Sequence, residues 1–169
     1  MNRPRTAILH YAAPPVVGGV EGVIGAHARA FLKASYPVAV IAGRGDADGL
    51  PLGVEFVRVP LVDSQHPEIS AVAKHLREGT VPANFGTLTS QLCDCLQGQL
   101  SGFDNLIVHN VFTKRLNLPL TAALFMLLNQ GLIANCIAWC HDIGWTSDHS
   151  RSELHPGSVS YTHLTLPTN

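Results

Sequence analysis

Four polar side chains stand directly after two apolar runs of this sequence. His109 and Asn110 follow the run LIV, and His141 and Asp142 follow the run IAWC. Near neutral pH an imidazole can donate or accept a hydrogen bond and can exchange a proton, and a neighbouring polar side chain can orient it. These residues are therefore candidates for a ligand site, although each histidine could equally be a structural residue at the end of a strand.

A glycine pair, Gly18 and Gly19, lies between an apolar run and a helix-like stretch. Glycines at this position let the backbone approach a ligand, and the free N–H groups of a helix N-terminus favour a phosphate. The alternative is a plain glycine turn, because Glu21 in the first turn would stabilise the helix N-terminus through the macrodipole without any ligand. The spacing excludes a G-x-G-x-x-G fingerprint, and no Gly-Lys-Ser/Thr follows, so neither an ordinary NAD site nor a P-loop is predicted.

The composition indicates one α/β domain and argues against nucleic acid as a partner. The chain has 169 residues, of which 46% are hydrophobic and 14% charged. This balance is typical of buried parallel strands. The 11 basic and 12 acidic residues leave no electrostatic footprint for DNA or RNA.

Short apolar runs alternate with longer helical windows along the chain. The pattern predicts strands at 5–13, 36–44, 54–60, 104–110 and 134–142, and helices at 20–35, 69–78, 85–102 and 118–131. Strands separated by helices in this order predict a Rossmann-like, doubly wound and mostly parallel sheet. In such a sheet a ligand binds beyond the carboxyl ends of the strands, where both histidine-containing segments and the glycine pair fall.

Neither a membrane span nor a cysteine-based metal site is predicted. The apolar stretch 118–140 is interrupted by polar residues, whereas a span needs roughly 20 apolar residues, so it indicates a buried helix, a turn and a buried strand. Cys93 and Cys95 would point to opposite sides of a helix, and Cys136 and Cys140 would lie too far apart along a strand to share one metal. The N-terminus does not fit a signal peptide, so we expect a cytoplasmic protein.

Three segments together resemble group-one-like glycosyltransferases (family four). ILHYAAPPVVGGVEGVIGAHARAFL is similar to the first strand, Gly-Gly-x-Glu loop and first helix of these enzymes. DNLIVHNVF is similar to their fourth-strand region, and IAWCHDIGW to the next strand, which ends in His-Asp. The resemblance covers about residues 5–157. It implies the GT-B architecture, in which two Rossmann-like domains face each other across a cleft, and it makes residues 1–157 the N-terminal, acceptor-side domain.

The resemblance also implies roles for individual residues. Gly18 and Gly19 would approach the diphosphate of a nucleotide-sugar, with Val20 and Glu21 opening the helix behind them. His141 would be catalytic, contacting a hydroxyl of the transferred sugar.

His109, Asn110 and Asp142 would line the acceptor side. From its place near the end of the first strand, His10 is expected to be a partly buried structural residue, and a position facing the cleft is the alternative. The family retains anomeric configuration and uses neither a metal nor a cofactor, the nucleotide-sugar being a co-substrate. A C-terminal domain in cis would bind most of this donor, and the fragment alone would be inactive. Many relatives that glycosylate lipids sit on the inner face of a membrane, so peripheral contact stays open.

The end of the sequence points to an artificial junction. VSYTHLTLPTN resembles, over ten consecutive residues, one reading frame of a transposase-based sequencing adapter. We therefore expect residues 158–169 to be a non-native tail and the natural sequence to continue differently. A genuine threonine-rich terminus is the alternative for the tail, and residues 145–157 are expected to form an acceptor-binding or a solvated loop. The alternative function is a stand-alone Rossmann-like binding or regulatory module. A third candidate, another nucleotide-sugar enzyme such as an epimerase, is disfavoured by the missing dinucleotide fingerprint.

Overall fold

The alternating apolar runs and helical windows form strands and helices close to the positions that the sequence predicts. A computed structural model describes residues 3–142. The strands are β1 (Thr6–Ala12), β2 (Val38–Arg44), β3 (Glu55–Arg58), β4 (Asn105–His109) and β5 (Asn135–Trp139). The helices are α1 (Gly19–Lys33), α2 (Pro67–Arg77), α3 (Phe85–Leu100) and α4 (Leu118–Asn129).

The five strands form one sheet in the order β3-β2-β1-β4-β5, and every neighbouring pair is parallel. With helices on its faces, this sheet confirms the predicted α/β class and the Rossmann-like, doubly wound architecture. The chain runs outward from β1 in one direction and then returns to start β4 on its other side. The order therefore reverses between β1 and β4, which is the topological switch point where such folds bind ligands.

Side chains that alternate along β1 divide the core into two layers. Ala7, Leu9 and Tyr11 pack with the apolar faces of α3 and α4. Ile8 packs on the opposite face, against Ile24 of α1. Because β1 is buried on both faces, its sequence is a nearly continuous apolar run.

The helix ends differ from the predicted limits by at most two residues, and two of these differences have a local reason. Helix α2 begins at Pro67, two residues before the predicted start, because proline has no N–H to satisfy and its φ suits the first helical position. Helix α4 ends at Asn129, and Gly131 follows with a φ of 69°. This left-handed conformation is favourable for glycine and reverses the chain toward β5.

Strand β5 is an edge strand, and the expectation of a buried strand there is wrong. Its residues alternate between exposed and half-buried, with Ile137 50% and Trp139 42% exposed. Among the described residues β5 pairs only with β4, and of its apolar residues Cys136 packs against the core while Ile137 and Trp139 are exposed. Hydrophobicity alone does not distinguish an edge strand from a central one.

The remaining features of the fold are the lengths of its helices and the state of its cysteines. No helix within residues 3–142 is long and apolar enough to cross a membrane. All four cysteines are free, and burial raises the pKa of the Cys136 thiol to about 11. The predicted loop at 145–157 and the predicted tail at 158–169 lie outside the described residues.

Candidate functional site

A cavity of about 250 Å³ opens at the carboxyl edge of the sheet, next to the switch point. Its walls come from the ends of β1 and β2, the start of α1 and the segments that follow β4 and β5. The lining residues are His10, Tyr11, Ala12, Gly19, Val20, Glu21, Arg44, Ser64, Asn110, Lys114, Leu116 and Asp142. Segments that are distant in sequence meet here because parallel strands end at the same edge.

The glycine pair forms the start of α1 at one wall of the cavity. Gly18 is the N-cap residue, in extended conformation, and Gly19 is the first helical residue. A Cβ added to Gly19 would meet no heavy atom within 4 Å, whereas one added to Gly18 would collide with the carboxylate of Glu21. The Glu21 side chain therefore folds back over the helix N-terminus, where its charge interacts favourably with the macrodipole.

The loop before the glycine pair is fastened to the end of β2. The N–H of Ala13 donates to the carbonyl of Arg44 (2.9 Å), and the N–H of Asp46 donates to the carbonyl of Pro14 (3.1 Å). Gly49 lies so close to the backbone of Pro14 and Pro15 that a Cβ would overlap it. These contacts hold the start of α1 in place at the edge of the sheet.

Two of the predicted site histidines are in direct contact. The Nδ1 atom of His109 and the Nε2 atom of His141 are 2.9 Å apart, and the two rings stack with centroids 5.2 Å apart. One nitrogen must donate and the other accept, so the tautomers of the two rings are coupled. His27 of α1 lies against both His109 and Trp139, with ring centroids 5.2 and 4.5 Å away.

His109 is held neutral by its surroundings. It is fully buried. Burial, together with repulsion from His27, His141 and His10, lowers its pKa from 6.5 to about 3. Its Nε2 atom is buried without a hydrogen-bond partner in the described part of the chain, so a protonated ring would bury an unpaired N–H there. His109 is therefore an uncharged hydrogen-bonding partner of His141.

His10 fastens β1 to the end of β4. Its Nδ1 atom lies 2.8 Å from the carbonyl oxygen of His109 and must carry the proton, because a carbonyl only accepts. Burial lowers the pKa of His10, while this hydrogen bond and the charge of Glu21 oppose the shift and His141 adds to it. The structural role that the sequence suggests for His10 is visible in this contact, although the residue also lines the cavity.

Asn110 connects the segments that follow β4 and β5. Its Oδ1 atom accepts from the backbone N–H of His141 (2.7 Å) and of Asp142 (3.3 Å). Its amide nitrogen lies 3.4 Å from Oδ2 of Asp142. Its own backbone N–H donates to the carbonyl of Trp139 at the end of β5 (3.0 Å).

Each of the two cations at the cavity has a carboxylate partner. Nε of Arg44 lies 2.9 Å from Asp63, a largely buried residue. Nζ of Lys114 lies 3.8 Å from Asp142, and the Lys114 side chain is only 17% exposed. With Glu21 on the opposite wall, the cavity is close to charge balance and rich in hydrogen-bonding groups.

The predicted site residues converge, but they do not all face the cavity. Gly19, Val20, Glu21, Asn110 and Asp142 line it. Gly18, His109 and His141 lie next to it without being among its lining residues, and His109 has no exposed surface. No group of three or more His, Cys, Asp or Glu residues within residues 3–142 is arranged to hold a metal ion.

Three residues of this region were not predicted from the sequence: His27, Arg44 and Lys114. A signal existed for His27, which follows Val20, Ile24 and precedes Phe31 at three- and four-residue spacing along the apolar face of α1. A polar residue on such a face is unusual. Arg44 and Lys114 carry no comparable signal, since a charged residue in a loop or at a strand end is most often solvated.

No protein-family model matches the chain, and no curated protein matches it at a significant level.

Proposed function

We propose that this chain is the acceptor-side, N-terminal domain of a GT-B glycosyltransferase, whose full-length form transfers a sugar from a nucleotide-sugar to an acceptor with retention of configuration. The observation that carries the proposal is that one cavity is lined by the start of α1 and by the segments after β4 and β5. These are the three segments that resemble the family, and the fold brings them together at a switch point.

The start of α1 offers the positive end of a helix dipole to a diphosphate. The backbone N–H groups of Gly19 and Val20 have no partner within the helix, because the first four N–H groups of any α-helix lack one. Gly19 borders open space, so a phosphate oxygen can approach its backbone. The Glu21 carboxylate lies over Gly18, and donor binding would require it to turn toward solvent.

His141 is the residue that would contact the transferred sugar. Its ring is half-buried, and His109 holds it through Nε2. The ring edge that carries Nδ1 is then available to a sugar hydroxyl. As the bond from the anomeric carbon to the diphosphate breaks and the acceptor oxygen forms the new bond, this contact would stabilise the developing charge. Asn110 and Asp142 would face the acceptor.

The first test extends the coding sequence beyond codon 157 in the source DNA and assays the encoded protein. We expect a second Rossmann-like domain, and release of nucleoside diphosphate from a panel of nucleotide-sugars. His141→Ala should lower turnover roughly 10²–10³-fold with the fold intact, as loss of a transition-state contact does elsewhere. A stop codon soon after Gly157 in that DNA would contradict the proposal and favour a stand-alone binding module. Unchanged turnover would remove His141 from the site.

The second test separates the glycine pair as a donor site from a plain turn. Gly19→Ala adds a Cβ in open space, so the fold should tolerate it, while a bound diphosphate would meet the new methyl group. In the extended enzyme we expect a higher KM for the donor. Gly22→Ala is the matched control, one turn along the same helix and also in open space. Equal donor KM values for the two variants would identify the glycine pair as a plain turn.

A further inference from the structure

We propose that Asn110 is a positioning residue, which sets the place and orientation of His141 from the neighbouring strand. This inference rests on the proposed function for its catalytic consequence, but its structural part can be tested separately. Asn110 is 5% exposed and follows β4 directly. It has a φ of 58°, a left-handed conformation that asparagine tolerates better than most residues.

The segment that carries His141 leaves the sheet from its edge. Strand β5 pairs with β4 on one side, and its last residue, Trp139, is 42% exposed. Within residues 3–142, the hydrogen bonds to the backbone N–H groups of His141 and Asp142 come from the end of β4. The structure shows them converging on one side chain, that of Asn110.

The carboxamide of Asn110 contacts this segment through both its oxygen and its nitrogen. Oδ1 accepts from two consecutive backbone N–H groups, those of His141 and Asp142 (2.7 and 3.3 Å). The amide nitrogen lies 3.4 Å from the Asp142 carboxylate. These bonds fix the backbone of His141, while the 2.9 Å contact with His109 fixes its ring. Asn110 thus holds the backbone of His141 and His109 holds its ring, and these two residues are consecutive at the end of β4.

Asparagine is the side chain that meets all of these requirements at once. Glycine would adopt the same φ but has no acceptor. Aspartate keeps the acceptor and also tolerates this backbone conformation, but it places a second carboxylate beside Asp142. Alanine lacks the acceptor and strains the backbone. Because Asn110→Gly and Asn110→Asp both keep the backbone conformation and only Asn110→Asp keeps the acceptor, comparing the two variants isolates the loss of the hydrogen bonds.

The consequence for catalysis is a defect in turnover rather than in donor binding. A misplacement of about 1 Å at a reacting group can cost roughly 10²-fold in rate. The start of α1, where the diphosphate would bind, is held by other contacts, at Pro14 and Gly49. Asn110→Gly in the extended enzyme should therefore lower kcat about 10- to 100-fold and leave the KM for the donor within about threefold.

The structural arm measures amide hydrogen exchange by NMR in the 169-residue chain. The N–H groups of His141 and Asp142 should be protected. In Asn110→Gly they should exchange about tenfold faster, the loss expected for one net hydrogen bond, while Asn110→Asp should retain most of the protection. Asn105→Ala is the matched control, since Asn105 lies at the opposite end of β4, with its amide nitrogen 3.4 Å from the Thr6 hydroxyl, and it should leave both amides unchanged.

The kinetic and the exchange measurements distinguish failure of the proposed function from failure of the positioning role. If the extended wild-type enzyme transfers no sugar from any donor, the proposed function fails, and the exchange measurement still decides whether Asn110 holds the His141 segment. Unchanged protection in Asn110→Gly would overturn the positioning role whatever the activity. Lost protection with a wild-type kcat would also overturn it, because Asn110 would then be a structural residue only.

Discussion

The buried histidine at the end of β4 should make the folded state sensitive to mild acid. His109 has a pKa of about 3 in the folded chain, against 6.5 for an unperturbed histidine, because burial and three neighbouring histidines oppose its charge. Between these two pH values the unfolded chain binds a proton at His109 that the folded chain does not. The free energy of unfolding must therefore fall as the pH is lowered from 6.5 toward 3.

The size of the effect follows from the two pKa values. Protonation of the unfolded chain at this one site lowers the free energy of unfolding by about 0.2 kcal/mol at pH 7 and by about 2 kcal/mol at pH 5. His109 alone should thus cost the protein about 2 kcal/mol of stability between pH 7 and pH 5. The pKa values of His10 and His27 are also lowered, so they contribute with the same sign.

Urea denaturation at pH 7, 6 and 5, followed by far-UV circular dichroism, isolates the contribution of His109. In His109→Asn the amide can replace Nδ1 as a hydrogen-bonding group but does not titrate. This variant should be less stable at pH 7, yet should lose about 2 kcal/mol less than the wild type on acidification. His75→Asn, at an exposed position of α2, controls for removal of an imidazole as such. Equal acid losses in His109→Asn and the wild type would refute a neutral, buried His109.

Two further predictions concern the walls of the cavity. Gly49→Ala should lower the free energy of urea unfolding by about 1–3 kcal/mol, because its Cβ would overlap the backbone of the loop before α1. Gly22→Ala is the control: it lies in open space on α1 and should be neutral or raise that free energy by about 0.5–1 kcal/mol. Similar values for the two variants would contradict the close packing at Gly49. Glu21→Gln should lower the pKa of His10 further in an NMR titration, because the Glu21 charge raises that pKa; an unchanged or higher pKa would show that the carboxylate does not act on His10.

Local pattern was sufficient to predict most elements of the fold. The period of apolar residues distinguishes strands from helices, and all five strands and four helices appear near the predicted limits. The parallel, doubly wound class follows from their alternation. The same pattern could not show that β5 lies at the sheet edge, because Ile137 and Trp139 are as apolar as residues of a central strand.

The candidate site was predictable as a set of segments but not as a set of contacts. The positions of the glycine pair and of both histidine-containing segments at strand ends can be read from the sequence. The roles of His27 and Asn110 could not be, since each depends on partners about 30 or more residues away in the chain. His109 shows the same limit: the sequence suggests a cleft residue, whereas the fold buries it beneath His141.

The alternation of strands and helices, and with it the sheet edge at which polar side chains gather, can be predicted from the sequence because both depend on local periodicity. Which of those side chains line the cavity and which are buried follows from the fold alone. Burial, hydrogen bonding and charge at one atom depend on whatever the rest of the chain packs around it. The fold sets the burial and hydrogen bonding of His109, Asn110 and His141 by placing β4 between β1 and an exposed edge strand.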